Sequence, residues 1–561
     1  MEKVVKDWNA PGVGVGIVVK DKLVFAKGYG YRDYEKKLPF TPQTRLPIDG
    51  NTTLFTAVAA GMLVEEGKLT WDKPVRDSVP AIRFHNDFLN DNVTLRDMLA
   101  HRTGIADRNT IWYKSDLTRK ELFERLHYLE PKEPLRQAFV WCSMMYAAAG
   151  YLIELQSGKT WEEFVRDRIL RPLDMNATVY SVADMLKTDD YGAPFGAEPS
   201  SMEFRRVPYF ELNAGVVPAF GIISNIQDMS HWVIALMNDG KYGDKQVIPA
   251  DVLKATLEPA MAFPNGEEEP PGFWDLQNRA YGMGRNTASY RGHLLTFEGW
   301  GALPDFYSHV AILPRERIGV IVFLIGNHWR HLIEPIRYNV CERLLGLDQT
   351  PWSDLNLKEI TKYWKAVLEA QAKAGADRVP DTRASHPLAD FAGEYEHPAY
   401  GVLRIVMKDG QLQFNFHHIQ LPLSRFHYDR FDTPDDENEG LWSVNFLTNP
   451  DGEVGKAVMS LDGDDVTFTR RPVAVDPKLV QQFAGTYEDP AVDKYQVVGK
   501  EDGNLYLVHP GARDKKLIPN RGFKFHCQEM PDQVFEFVVE NGQVKALKQR
   551  DSFGEFVYPR K

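Results

Sequence analysis

The stretch PGVGVGIVVKDKLVFAKGYGY, residues 11–31, decides how this chain folds. Two runs rich in β-branched residues flank the polar turn Lys20-Asp21-Lys22, a pattern typical of a β-hairpin. A second pair of such runs lies far along the chain, in VAILPRERIGVIVFLIGN at residues 310–327. Helical periodicity occurs between the two pairs, at residues 51–67, 146–156 and 226–238. Strands at both ends with helices between them predict an α+β fold whose antiparallel sheet pairs early segments with late ones.

Beyond residue 350 the pattern changes. An amphipathic helix is predicted over 355–375 and a linker over 376–386. The segment FAGEYEHPA at Phe391–Ala399 then recurs as FAGTYEDPA at Phe483–Ala491, an offset of 92 residues. Two copies indicate two related all-β, lipocalin-like barrel units or the halves of one larger barrel. The predicted domains are 1–350, a helix and linker over 351–385, and β units over 386–474 and 475–561.

Composition limits the classes of function. At about 150 residues per domain, 561 residues suggest three or four units. An apolar share of 43 % and an aromatic share of 12 % exclude a disordered chain, because large cores can be buried. The 66 basic and 78 acidic residues leave a net charge of −12, so we expect no nucleic-acid partner and no anionic membrane partner.

The cysteines and the N-terminus indicate no cofactor and no membrane segment. Cys142, Cys341 and Cys527 are too far apart for a CxxC pair or a zinc-ligand spacing, so we expect no metal and no disulfide framework. The first ten residues hold no apolar signal core and no run of 18 apolar residues occurs, which predicts a soluble protein, cytoplasmic as it stands. A leader removed from an exported parent remains an open alternative, and so does the oligomeric state.

Several N-terminal segments resemble one enzyme superfamily. They are FTAVAAGMLVEEGKLTWDKPV (55–75), TLRDMLAHRTGI (94–105) and MYAAAGYLIELQSGKTWEEFVRDRILRPLDM (145–175), together with 11–17 and 310–327. In this order they resemble the serine β-lactamase and penicillin-binding-protein superfamily, specifically the class C-like esterases, D-aminopeptidases and amidases. The resemblance covers residues 5–345 and implies a β-lactamase-like antiparallel sheet with a helical domain. The repeats at Phe391 and Phe483 resemble lipocalin-like domains that some members append.

The resemblance also implies three catalytic motifs, and each is replaced here. The nucleophilic serine and the lysine of S-x-x-K would stand where the chain has Gly50-Asn51-Thr52-Thr53. The motif Y-x-N would stand at Trp141-Cys142-Ser143, and H-x-G or K-T-G at Phe297-Glu298-Gly299-Trp300. Because the nucleophile, base, phenol and histidine are all absent, acyl-enzyme chemistry by the family route is excluded.

The replacements cluster where the pocket is expected, and they add carboxylates and large apolar side chains. A carboxylate walled by aromatic rings loses hydration, which raises its pKa above the ordinary value of about 4 and makes it a stronger base. We therefore predict that Glu298 or Asp49 is a general base that removes a proton from carbon, as in a Kemp-type elimination, in a flat aromatic small molecule. The predicted substrate-binding residues are Trp141, Trp300, Phe297, Phe220, Ile223, Ser143, Gly50 and Thr53. Natural divergence and engineering both explain such a cluster, and the residues leave both open.

Other interpretations of the same residues remain open. Asp49 precedes a helix, where an acidic residue is often only an N-cap, and Glu298 could pair with Arg285. The chain could be a catalytically inactive binding or scaffold protein. It could also be a hydrolase, either with residual esterase activity or glycosidase-like, with Asp49 and Glu298 about 5–10 Å apart as its acid pair. We interpret His101 and Cys142 as structural residues.

Overall fold

The computed structural model describes the chain outside a set of short segments. Those segments are 198–202, 264–275, 299–305, 372–377, 437, 450–451, 472–481, 509–511, 520–522 and 528. The side chains of residues 298, 327–328, 371 and 531–532 are also not described.

The helices of the described chain are short except for α2, α8, α12, α14 and α15. They are α1 (Glu2–Asp7), α2 (Thr52–Glu65), α3 (Val75–Ser78), α4 (Asp87–Asn92), α5 (Leu95–Leu99), α6 (Asn109–Trp112), α7 (Arg119–Glu124), α8 (Ser143–Ser157), α9 (Trp161–Val165), α10 (Val182–Met185), α11 (Val217–Phe220), α12 (Ile226–Met237), α13 (Ala250–Leu257), α14 (Ile333–Leu345), α15 (Trp352–Gln371) and α16 (Leu388–Phe391). Helices α2, α8 and α12 confirm the three that the apolar periodicity predicts.

The first fifteen strands form one large sheet and three two-stranded pairs. They are β1 (Gly12–Val19), β2 (Lys22–Asp33), β3 (Leu38–Pro39), β4 (Leu46–Pro47), β5 (Phe195–Ala197), β6 (Phe204–Arg206), β7 (Ile223–Ser224), β8 (Lys241–Tyr242), β9 (Lys245–Gln246), β10 (Met261–Ala262), β11 (Leu276–Tyr281), β12 (Asn286–Tyr290), β13 (His293–Glu298), β14 (Phe306–Leu313) and β15 (Ile318–Ile325). The large sheet has the order β10-β11-β12-β13-β14-β15-β1-β2-β3. Strand β1 pairs antiparallel with both β2 and β15, which confirms the α+β fold and the pairing of early with late segments.

The glycines of the GVGVG run allow a helix to pack tightly on the sheet. A Cβ at Gly16 would lie 2.5 Å from Ile226 Cγ2 of α12, and a Cβ at Gly14 would lie 2.7 Å from Ile226 Cδ1. Since such distances are shorter than packed carbon atoms tolerate, only glycine lets α12 approach this closely. The intervening valines, Val13 and Val15, are buried on the opposite face among residues of α14 and α15. The sheet is therefore covered on both faces, which explains why β14 and β15 are buried along their whole length.

The C-terminal strands form two eight-stranded units. The first is a closed barrel of β16 (Gly393–His397), β17 (Gly401–Lys408), β18 (Gln411–Phe416), β19 (Ile419–His427), β20 (Arg430–Asp432), β21 (Ser443–Thr448), β22 (Val454–Leu461) and β23 (Asp464–Arg470). The second is a sheet of β24 (Gly485–Asp489), β25 (Asp493–Gly499), β26 (Leu505–Val508), β27 (Lys515–Pro519), β28 (Lys524–Cys527), β29 (Met530–Glu540), β30 (Gln543–Asp551) and β31 (Gly554–Pro559). The repeat therefore marks two separate β units, not halves of one larger barrel.

Both β units have interiors filled by aromatic side chains. Phe391 and Phe483, the first residues of the two repeats, are fully buried in their respective units. Phe391 contacts Phe431 and Phe446, whereas Phe483 stacks on Phe537 at 4.4 Å between ring centroids.

The internal packing of the whole chain gives a different division, into two compact units. The first unit comprises Met1–Ala392, His397–Leu447 and Ala457–Phe468, and the second comprises Gly393–Glu396, Thr448–Lys456 and Thr469–Lys561.

We expect Gly16→Ala to destabilise the N-terminal domain by about 1–3 kcal/mol, because the added methyl group overlaps Ile226. Denaturant unfolding followed by far-ultraviolet circular dichroism measures this loss. In an Ile226→Ala background the same substitution should cost clearly less, because the overlapping methyl group is gone. An equal cost in both backgrounds would contradict the packing argument.

Candidate functional site

The floor of the candidate site is a single turn of 3-10 helix, Asp49–Asn51, that leads into α2. Asp49 is buried, with 1 % of its surface exposed, and its φ of 50° is in the left-handed region that aspartate tolerates better than most residues. Asn51 fixes this turn to the sheet, because its Nδ2 donates to Ser308 Oγ at 2.6 Å. Gly50, in the position of the family's serine, therefore lies on a rigid and buried turn.

The lysine position is occupied by Thr53, whose hydroxyl bonds within the protein. Thr53 Oγ1 donates to the carbonyl oxygen of Gly50 at 2.7 Å. Next to it, the Tyr146 hydroxyl donates to the carbonyl oxygen of Leu99 at 2.5 Å and lies close to the Thr53 and Tyr281 hydroxyls. Burial raises the pKa of Tyr146 well above its ordinary value, so this phenol stays protonated.

The tyrosine motif is replaced by a segment that is fixed by hydrogen bonds and stacking. The Trp141 ring stacks on His101 at 4.1 Å between ring centroids, and the Cys142 backbone N–H donates to His101 Nδ1 at 3.1 Å. Burial lowers the pKa of His101 to about 3, so the imidazole is neutral. Burial also raises the pKa of the Cys142 thiol, which keeps it protonated and unreactive. Both side chains are therefore buried and uncharged in the interior of the protein.

Ser143 begins α8, and Asp107 caps that helix from another segment. Asp107 Oδ1 accepts hydrogen bonds from the Ser143 backbone N–H at 3.0 Å and from Ser143 Oγ at 2.6 Å. Burial raises the pKa of Asp107 to about 6, although the bonds from Ser143 oppose the shift. Ser143 is fully buried, so its hydroxyl serves Asp107 and not, as the sequence suggested, a substrate.

The predicted apolar wall is assembled only in part. Ile223 is buried on β7, where it pairs with Pro47 just before the Asp49 turn. Phe220, at the end of α11, is half-buried beside Trp112, with ring centroids 6.1 Å apart. The backbone N–H of Ile222 donates to Thr52 Oγ1 at 3.2 Å, which joins this segment to the start of α2. Ile223 and Phe220 therefore do border the replaced motifs.

Phe297 does not belong to this wall, and its predicted role is corrected. Its side chain is buried with the helices α14 and α15, and the Arg337 guanidinium lies over its ring at 5.0 Å. Strand side chains alternate between faces, and Phe297 pairs with Ala311, whose side chain packs in the same core cluster. Ser308 accepts a hydrogen bond from Asn51 in the Asp49–Asn51 turn. It is three residues away from Ala311 on the same strand, so its side chain lies on the opposite face of the sheet from Phe297 and Ala311.

Two further predicted residues, Glu298 and Trp300, lie at or within an internal segment that the structure does not describe. Glu298 ends β13, and its backbone pairs with Val310, but its side chain is not among the described ones. Gly299 and Trp300 lie outside the described residues. Among the residues that the structure describes, no group of three His, Cys, Asp or Glu side chains could hold a metal ion. In the same part of the chain, no helix is long and apolar enough to cross a membrane.

Sequence patterns alone miss two residues of this site. Asp107 is 36 positions from Ser143 and carries no local pattern that points to α8. Tyr146 had a usable signal, because it stands one helical turn after Ser143 and so lies on the same side of α8. Both residues contact positions whose family side chains have been replaced.

The antiparallel sheet and its helical cover define a protein of the β-lactamase-like serine hydrolase class. The family described as Beta-lactamase matches residues 1–339, and the chain belongs to that family. A domain of unknown function, DUF3471, matches residues 377–470, which contain the first barrel.

Named relatives are distant. The Unguisins hydrolase ungD of Aspergillus violaceofuscus is 25 % identical over 72 % of this chain and 76 % of its own length. Protein flp of Staphylococcus aureus is 25 % identical over 56 % of this chain, and the match spans only 59 % of flp. The octameric penicillin-binding protein homologue from Pyrococcus abyssi shares the fold, with a TM-score of 0.55 and 20 % identity over 83 % of this chain and 98 % of that one.

The raised pKa of Asp107 predicts a pH dependence of stability. The folded pKa of about 6 exceeds the ordinary unfolded value of about 4, so the folded state holds an extra proton between these two pH values. The stabilising contribution of this group is therefore complete below about pH 4 and is lost as the pH rises through about 6. We expect the free energy of unfolding of the wild type, minus that of Asp107→Asn, to fall across this range. A difference that does not change with pH would refute this assignment.

Proposed function

We propose that the site performs carboxylate general-base chemistry and not acyl transfer, with Asp49 as the base. The observation that carries this proposal is the position of Asp49, which is buried directly before Gly50 where the family's nucleophile would stand. Its left-handed backbone conformation is uncommon outside glycine, asparagine and aspartate, and such conformations concentrate at functional positions.

The hydroxyls near Asp49 support the same conclusion. Thr53 donates to the carbonyl oxygen of Gly50, which is not a base that could activate it. Ser143 donates to the Asp107 carboxylate, but the Ser143 side chain is fully buried at the start of α8 and is not exposed to a substrate. Gly50 has no side chain, which leaves the nucleophile position open beside the Asp49 turn. Glu298 remains the second candidate for the base, as the sequence predicts.

The proposed substrate is a flat aromatic molecule with an acidic carbon-bound proton. Trp141 is half-buried on its His101 stack and Phe220 is half-buried beside Trp112, so two aromatic rings keep exposed surface for a planar ligand. A benzisoxazole tests this class. In its elimination the carboxylate takes the proton from carbon 3, the carbon's electron pair forms the nitrile and the N–O bond breaks to leave a phenolate.

We expect Asp49→Asn to lower the rate of benzisoxazole elimination about 100-fold or more, because asparagine cannot accept the proton. The appearance of the phenolate, followed by absorbance, measures this rate. Glu298→Gln is assayed in parallel, and Asp409→Asn, on an exposed barrel turn, is the matched control. Activity that is unchanged in both Asp49→Asn and Glu298→Gln would eliminate the proposal.

A hydrolase is the second candidate function, favoured by the name of one relative, the Unguisins hydrolase ungD. Without a serine nucleophile, a carboxylate would have to activate water directly. Turnover of a nitrophenyl ester that resists serine-directed phosphonates and is lost in Asp49→Asn would support this candidate. Thermal stabilisation by aromatic ligands without turnover of either probe would instead indicate a binding protein.

A further inference from the structure

Residues 107–116 form a segment that contacts both the candidate site and the first barrel. On the site side it provides Asp107, which caps α8 at Ser143, and Trp112, which packs beside Phe220. On its other side it is held by barrel residues that lie within the same compact unit of the chain. The contacts to the barrel fall into an acidic group and a histidine group.

The acidic group is the turn between β22 and β23. The two carboxylate oxygens of Asp462 each accept from the Thr110 backbone N–H at 3.3 Å. Asp464 forms ion pairs with Arg108 at 2.7 Å and with Lys132 at 2.9 Å. Because Arg108 directly follows Asp107, this pair holds the chain next to the α8 cap.

The histidine group is the turn between β18 and β19. The two ring nitrogens of His417 lie 2.8 Å from the carbonyl oxygen of Tyr113 and 3.1 Å from that of Tyr400, so the single N–H of the neutral imidazole donates to one of these two oxygens. The backbone N–H of His418 donates to the carbonyl oxygen of Lys114 at 3.0 Å. The Lys114 ammonium is in turn paired with Glu439 of the barrel.

We propose that the first barrel is a positioning element of the site, and that Asp462, Asp464 and His417 fix segment 107–116 so that Asp107 caps α8. The N-terminus of α8 carries the replaced tyrosine motif, Trp141 to Ser143, so these barrel residues act on the site through that segment. Any consequence for turnover rests on the function proposed above, whereas the positioning itself does not.

The pKa of Asp107 is a measurable quantity that depends on the charge of Asp462 and not only on its contacts. Burial is the main cause of the raised pKa of Asp107, and the charge of Asp462 raises it further. Burial raises the pKa of Asp462 as well. Among the described residues, the other titratable or charged groups that act on this pair are Arg108, Tyr400 and Cys142, and Arg108 is in turn paired with Asp464 beside Lys132. Removing the charge of Asp462 alone should therefore lower the pKa of Asp107.

The first experiment measures this pKa by carbon-13 NMR of carboxyl-labelled aspartate in the full chain, assigned with Asp107→Asn. We expect Asp462→Asn to lower the midpoint of Asp107 measurably while the turn is retained, because asparagine also adopts the left-handed φ of 51°. The control is Asp409→Asn, since Asp409-Gly410 is an exposed turn of the same barrel with the same φ of 51°. A midpoint that does not move would overturn the coupling.

The second experiment measures amide hydrogen exchange in residues 108–116. We expect Asp464→Ala to speed exchange there, because both of its ion pairs are lost, whereas Asp409→Ala should leave it unchanged. Equal exchange in both variants would overturn the positioning role. Neither experiment uses turnover, so a failed general-base assay and a failed positioning test remain distinguishable. If elimination is observed, Asp464→Ala should raise KM or lower kcat, and Asp409→Ala should do neither.

Discussion

The close approach of α12 to β1 is the constraint on which the N-terminal domain depends. Gly14 and Gly16 remove side chains from one face of the strand, so Ile226 can lie directly on the sheet. The same face carries Ser308, which bonds Asn51 and fixes the turn ahead of α2. The position of the candidate site relative to the sheet is therefore set by a packing distance that larger residues at these two positions would not permit.

The fold was predictable from the sequence because its signals are local, whereas the site was predictable only in part. The glycine–valine run, the apolar strands at 310–327 and the duplicated segments each specify their own element. Phe297 lies on the face of the sheet away from the site, because side chains alternate along a strand and a shift of one position exchanges the two environments. Asp107 is not predictable from the sequence, because tertiary structure alone brings it near its partner, Ser143.

Two hydroxyls of the replaced motifs are bonded within the protein. Thr53 bonds Gly50 and Ser143 bonds Asp107, so two hydroxyls that could have faced a substrate bond the protein instead. Buried hydroxyls without such partners would cost about 1–3 kcal/mol each, so these two bonds stabilise the start of both helices. In this site the groups that maintain the structure and the groups proposed for chemistry are different residues, which permits each to be changed separately.

The aromatic interiors of the β units have a consequence for cooperativity. Phe483 and Phe537 belong to a core that is separate from the one around Val13, Val15 and α14. A chain with separately filled cores need not unfold in one step, and a two-state analysis then no longer applies to the whole molecule. If the cores unfold separately, the less stable core sets the temperature at which the intact molecule is lost.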